Sequence, residues 1–155
     1  EADQTDMITV WVAITDATKD NGCLKVIPGK HKKMLPHCPK TQTAIADGWI
    51  NEAEAKALPV KAGSLVILHP LIPHASLPNH TNGFRWSFDL RYNVTGQPTG
   101  RSHFPDFIAY SQSQPECVLQ DWKEWRGLWE TARRKLSKGE HIPIHRWQSD
   151  APFCA

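Results

Sequence analysis

The sequence has no C-x-x-C pair, no apolar run long enough to cross a bilayer, and no surplus of either charge. Each absence removes a class of protein. The four cysteines, Cys23, Cys38, Cys117 and Cys154, are scattered, which leaves neither a zinc knuckle nor a thioredoxin-type redox site. A chain of this length needs no dense disulfide framework, so the expectation is four reduced thiols in a cytoplasmic protein. A transmembrane helix takes about 20 consecutive apolar residues, and no such run occurs; nor is there a signal-peptide pattern at the N-terminus. Lys plus Arg is 18 against 16 for Asp plus Glu, a formal net charge of +2. That balance gives no electrostatic reason to expect nucleic acid or an anionic membrane as partner. There is no internal repeat, and 155 residues suit a single domain, 1–155, around one core. The chain opens on Glu1 rather than Met and enters a strand within a few residues, which sets the expectation that it is part of a longer product.

What the sequence has in quantity is Trp (7), Pro (12) and His (8), the composition of a loop-rich β protein with aromatic packing. Met7 to Thr15 (MITVWVAIT) is dense in β-branched and aromatic residues and predicts a strand. Its parity puts Val10, Val12 and Ile14 on one face and Thr9, Trp11 and Ala13 on the other. Asp16 to Gly22 is a loop ending in Asn-Gly, able to supply a positive φ. Cys23 to Ile27 predicts a second strand, and the spacing suggests that it pairs with the first. The Lys30-His31-Lys32-Lys33 cluster reads as a solvated loop. Asn51 to Leu58 has helix-forming composition with Asn51 as a cap. Asn93 to Pro105, including Arg101 and His103, reads as a Gly/Pro-rich loop or lid. Glu116 to Lys135 carries Val118, Trp122, Trp125 and Trp129 at helical spacing, which predicts an amphipathic helix whose tryptophans pack into the core. The tail from Gly139 is irregular. Short strands with turn signals and one such helix predict an all-β core with flanking helices, a sandwich or jelly roll.

The stretch with the most chemistry is Ala62 to Tyr92 (AGSLVILHPLIPHASLPNHTNGFRWSFDLRY). Ser64 to His69 is an apolar run short enough for a buried strand. Beyond it, Pro70, Pro73, Pro78-Asn79 and Asn82-Gly83 punctuate the chain with turns. From Phe84 to Tyr92 large apolar residues alternate with Arg85, Ser87, Asp89 and Arg91, so four polar side chains share one face. His74 stands at the mouth of the intervening loop. Imidazole is the commonest metal-binding side chain, and Arg offers a planar fork to a carboxylate. A His and an Arg on neighbouring strands would hold a metal and an anion side by side. Non-haem Fe(II) oxygenases bind iron with two His and one carboxylate, leaving positions for a chelating cosubstrate and dioxygen. His69 is a rival to His74 but has the opposite parity, as expected of a packed or hydrogen-bonded strand end. Arg91 is the fallback for Arg85, or else a partner of Asp89.

These segments, TVWVAITDATKDNGCLKVIPGKHK and the stretch from Ala62, resemble the phytanoyl-CoA dioxygenase family of Fe(II)/2-oxoglutarate-dependent oxygenases. The DAT…NGCL…IPG…H and H-x-S-x-P-N…R segments carry the resemblance, which extends into PTGRSHFPDF and HRWQSDAPFC. It implies a double-stranded β-helix, incomplete on its N-terminal side, and the cofactors Fe(II), 2-oxoglutarate and O2. By the same resemblance His74 matches the distal iron ligand, Arg85 the partner of the 2-oxoglutarate 5-carboxylate, Ser76 the hydroxyl beside it, and Trp11 an aromatic residue of the cosubstrate pocket. The implied reaction is hydroxylation of a small organic substrate, with 2-oxoglutarate converted to succinate and CO2. The family's other iron ligands lie in an H-x-D or H-x-E motif upstream of the Trp11 strand. No His in 1–155 is followed two places on by Asp or Glu: the residues there are Lys33, Pro39, Leu71, Ser76, Asn82, Pro105, Pro143 and Trp147. The expectation is that the motif precedes Glu1 and that residues 1–155 alone are inactive. The run from Gly63 to Asn79 also resembles the second motif of cupins, whose metal sites need no 2-oxoglutarate, and a jelly roll that only binds ligands is a third reading. The NGCL…IPGKH motif and the His74–Arg85 spacing argue against both.

Overall fold

A computed structural model of the chain describes residues 6–38, 44–98 and 104–139. They fall into two compact units, 7–92 and, together with Asp6, 93–139. Arg101, His103 and the tail beyond Gly139 lie outside the described residues, so the loop-or-lid and tail expectations meet only their edges there.

Among the described residues the first unit holds eight strands: β1 (Met7–Ala13), β2 (Leu24–Val26), β3 (His37–Cys38), β4 (Ala44–Ile45), β5 (Lys56–Leu58), β6 (Leu65–Leu68), β7 (His74–Ser76) and β8 (Ser87–Asn93), the last ending one residue past the unit. They form sheets in the orders β6-β1-β8, β5-β2-β7 and β3-β4. β1 and β2 therefore do not pair with each other. β1 runs antiparallel to β6, with Val10 opposite Ile67 and Val12 opposite Leu65. β2 runs antiparallel to both β5 and β7, with Leu24 opposite Leu58 and Ser76. The Asp16–Gly22 loop is the crossing between two sheets rather than a hairpin turn. Residues with compatible turn chemistry can be redirected when each strand has a longer-range partner that buries more apolar surface.

The period-2 reading of β1 holds. Thr9, Trp11 and Ala13 are buried, and Trp11 and Ala13 form a cluster with Ala17, Cys23, Leu24 and Leu68. Two local devices fix the strand ends. In the crossing loop the Thr18 amide donates to Asn21 Oδ1 (2.8 Å) and Asn21 Nδ2 donates to the Asp16 carbonyl (2.8 Å). Gly22 then takes φ +88°, with the Leu77 carbonyl 2.7 Å from where a Cβ would stand, so no other residue fits there without displacing backbone. Beyond β1, the Asp16 carboxylate accepts from Lys61 Nζ and from the Ala62 amide, both at 2.8 Å. The Lys61 hydrogen bond and then the Ala62 amide hold the Asp16 carboxyl below the usual carboxylate range.

Helix-forming composition at 51–58 did not produce an α-helix. Asn51 does act as a cap, its Oδ1 accepting from the Ala53 amide (3.1 Å), but the turn is a 3₁₀ turn over Glu52–Glu54 that gives way to β5. The pull of an edge position beside β2 outweighs a propensity of a few tenths of a kcal/mol per residue, by the ordering of such scales. The thiol expectation needs a correction: among the described cysteines Cys23 and Cys117 are free, whereas Cys38 is disulfide-bonded. Disulfide formation depends on which sulfurs the fold brings together, which scattered spacing does not reveal.

The second unit is built on α1 (Trp122–Lys138), with Asp121 Oδ1 accepting from the Lys123 amide (2.8 Å) at its start. A 3₁₀ turn at Pro115–Cys117 precedes it. The predicted helix is present, but its tryptophans are not core. Trp122, Trp125 and Trp129 are 62, 46 and 38 % exposed, and Ala132 is the helix's buried residue. Trp129 packs on Phe104 and meets Trp125 edge-on. Helical spacing establishes that the three share a face; it does not say what lies over that face. Among the described residues no helix is long and apolar enough to cross a membrane.

Candidate anion and metal site

Arg85 is the hub. It lies two residues ahead of β8, and the start of that strand is tied to the end of β1: the Ile14 amide donates to the Trp86 carbonyl (3.0 Å) and the Trp86 amide donates to Thr15 Oγ1 (3.0 Å). These bonds hold the backbone on one side of Arg85, and alternation along the strand turns its side chain toward the Trp11 face of the sheet. There the guanidinium carbon stands 5.2 Å from the centroid of the Trp11 ring, within the range of a cation–π contact. Nη2 donates to Ser76 Oγ and Nη1 to Ser87 Oγ, each at 3.1 Å. Three groups from three strands thus fix one half-buried cation.

Each serine oxygen accepts from Arg85, so each hydroxyl proton is left to donate elsewhere. The guanidinium also has further N–H groups beyond these two bonds. The arrangement is a ready receptor for a carboxylate, offering charge, planar donors and two hydroxyl donors on an apolar aromatic floor.

His74 stands on β7 two residues from Ser76, so the two side chains share a face about 6.6 Å apart along the strand. Its Nδ1 is 3.0 Å from the Ile72 carbonyl. A carbonyl only accepts, so Nδ1 carries the proton and Nε2 presents its lone pair, the form in which imidazole binds a metal. Among the described residues no group of three or more His, Cys, Asp or Glu converges to hold an ion.

The layout differs from the sequence reading in one respect. His74 and Arg85 do not come from neighbouring strands of one sheet; β7 belongs to β5-β2-β7 and β8 to β6-β1-β8. The rivals are otherwise engaged. His69 Nδ1 accepts from the Leu71 amide (3.1 Å), its ring 5.1 Å from that of His31, and Arg91 is paired with Asp89 at 3.2 Å. In the basic cluster Lys30 pairs with Glu54. Ser87 was not singled out from sequence. Its signal was there, since it shares the parity of Arg85 one step along the strand.

The fold resembles that of the non-heme monooxygenase ThoJ in its apo form, with a TM-score of 0.63 at 23 % identity over 85 % of this chain and 54 % of that one. With its mostly β architecture, the structure is an incomplete jelly roll.

The sequence model of the phytanoyl-CoA dioxygenase (PhyH) family matches residues 1–87. The mouse protein named "Phytanoyl-CoA dioxygenase, peroxisomal" is 34 % identical over 154 residues, covering 89 % of this chain and 44 % of its own length. The human protein of the same name is 38 % identical over 118 residues, covering 71 % and 33 %. The chain belongs to the phytanoyl-CoA dioxygenase family, whose members depend on Fe(II), 2-oxoglutarate and O2. It spans less than half the length of these relatives.

Proposed function

We propose that residues 1–155 are the C-terminal part of a single jelly-roll domain in an Fe(II)- and 2-oxoglutarate-dependent dioxygenase that hydroxylates a small organic substrate. The observation that carries the reading is the Arg85 guanidinium held by Ser76, Ser87 and Trp11 on the face that also bears His74. In this reading Arg85 binds the 5-carboxylate of 2-oxoglutarate, and the hydroxyls of Ser76 and Ser87 complete its hydrogen bonds. Trp11 closes the floor against water, which strengthens the ion pair by lowering the local dielectric. His74, with its proton held on Nδ1, supplies one metal ligand. The remaining ligands come from an H-x-D motif outside residues 1–155, so these residues alone do not turn over. When bound, 2-oxoglutarate supplies two electrons to dioxygen as it is decarboxylated to succinate and CO2. The chain's own part is positional: it sets the distance and orientation between the carboxylate anchor and the metal ligand.

The proposal places the enzyme in the cytoplasm, with no nucleic acid or membrane partner. The peroxisome named for the mammalian relatives is the rival compartment, and imaging of a tagged complete protein separates the two. The enzymatic test is succinate release by the complete gene product with iron, ascorbate and 2-oxoglutarate, which proceeds slowly even without the true substrate. Iron-dependent consumption of 2-oxoglutarate supports the proposal. Its absence at saturating iron and cosubstrate overturns it in favour of a cupin-like or purely ligand-binding jelly roll.

A further inference from the structure

His74 takes its orientation from the Ile72 carbonyl, which accepts from its Nδ1 at 3.0 Å. That carbonyl is itself fixed by a turn between β6 and β7. The Ile72 amide donates to the His69 carbonyl (3.0 Å) and closes a four-residue turn. Pro70 fills its second position, where the fixed φ of proline suits the bend. The amide in the third position of such a turn has no partner in the turn's own backbone, and the side chain of an Asn, Asp or Ser in first position satisfies it in many turns. Here the imidazole of His69 takes that part: the Leu71 amide donates to its Nδ1 at 3.1 Å. The His31 ring, delivered by the segment that follows β2, packs against the His69 ring with the centroids 5.1 Å apart and limits its rotation.

The far end of the turn is held as well. Ile72 packs against the buried cluster that contains Trp11 and Leu68, and a residue before proline is confined to extended backbone. The Pro73 carbonyl accepts from the Ile27 amide (3.1 Å), just where Val26 pairs with His74. The Ile72–Pro73 peptide is thus anchored by packing and strand pairing on one side and by the His69 turn on the other.

We infer that His69 is a positioning residue for the metal ligand: by holding the turn through the Leu71 amide, it aims the Ile72 carbonyl at His74 Nδ1, which keeps the proton there and leaves Nε2 for a metal ion. The inference rests on the proposed reading of His74 as a metal ligand. His69 is not a second ligand in this arrangement. Its Nδ1 lone pair is taken by the Leu71 amide, and the neutral ring then carries its proton on Nε2. A group that fixes the tautomer of a metal-binding histidine is worth about 10- to 100-fold in metal affinity, and a residue acting through that group belongs at the lower end of the range.

The test compares His69→Leu, which removes the acceptor, with His69→Asn, whose Oδ1 accepts from the amide two residues on. His69 is exposed, so its replacement leaves the core untouched. In the complete protein carrying isotope-labelled histidine, NMR of the metal-free form reads the tautomer of His74, and calorimetric titration reads Mn(II) affinity. The parent is expected to hold His74 as the Nδ1–H tautomer. In His69→Leu a mixture with the Nε2–H form is expected, with Mn(II) binding weakened by about 10-fold. His69→Asn should restore the parent tautomer and bring Mn(II) affinity back to within about 3-fold. A folded His69→Leu protein in which either the tautomer or the Mn(II) affinity stays at the parent's value overturns the inference. An equal loss in both variants overturns it too, because His69 would then act by packing and not as an acceptor. His74→Ala separates the inference from the functional reading. Unchanged Mn(II) affinity there defeats the ligand reading, whereas a loss there with none in His69→Leu defeats only the positioning role.

Discussion

Arg85 and Ser76 are nine residues apart in the chain, Ser76 on β7 and Arg85 just ahead of β8 of the other sheet, yet Arg85 Nη2 donates to Ser76 Oγ at 3.1 Å. Ser87 accepts from Nη1 at the same distance. The guanidinium is bridged between the two sheets, which fixes its plane before any ligand arrives, and preorganisation of this kind lowers the entropic cost of binding. In the proposed function the serines act on the carboxylate partly through Arg85 and partly by donating their own protons.

Ser76→Ala and Ser87→Ala should each weaken 2-oxoglutarate binding by about 3- to 10-fold, the scale of one hydrogen bond. Calorimetric titration of the Mn(II)-loaded complete protein measures this. In the double variant the losses should exceed their sum, because an Arg85 released from both anchors is free to leave the Trp11 face. Strict additivity would mean that the serines serve the anion independently of Arg85.

Gly22→Ala should destabilise the fold by roughly 1–3 kcal/mol, since it combines a positive φ with a Cβ placed 2.7 Å from the Leu77 carbonyl. Leu77 directly follows β7, so the displaced backbone carries His74 and Ser76 with it. Thermal melting should show a drop of several degrees, accompanied by weaker cosubstrate binding. A parent-like melting temperature would show that the Asn21-Gly22 turn relaxes freely.

Asp16 makes stability depend on pH. Its folded-state carboxyl is depressed by the Lys61 and Ala62 hydrogen bonds, so its contribution is fully present above the unfolded value, about 3.9. It is lost only as pH falls through the lower folded value. Lys61 is the same pair seen from the other side; its raised value places its loss at high pH. Asp16→Asn should therefore melt below the parent at pH 6–8, and the gap should close below about pH 4. A gap that does not narrow in acid would show that the effect does not come from the Asp16 charge.

Much of the site was legible in the sequence because it rests on strand parity. The alternation from Phe84 to Tyr92 put Arg85 and Ser87 on one face, and His74-x-Ser76 gave two side chains on one side of a short strand. Parity also identified the Trp11 face of β1. Long-range partner choice was not legible. β1 and β2 looked like a hairpin from the Asn21-Gly22 turn, but each found its partners among strands much later in the chain, which local turn chemistry does not encode. The helix expected over 51–58 failed for the related reason that a place beside β2 outweighed helix propensity. The exposed tryptophans of α1 show the converse limit, since a stripe records what a face is made for, not what covers it.

The most direct measurement of the central claim is the affinity of 2-oxoglutarate for the complete, Mn(II)-loaded protein before and after Arg85→Leu. The account predicts a loss of about 10- to 100-fold, the scale of charge-assisted hydrogen bonds, with Mn(II) affinity and melting temperature close to the parent's. Unchanged 2-oxoglutarate affinity in a folded Arg85→Leu protein would contradict it.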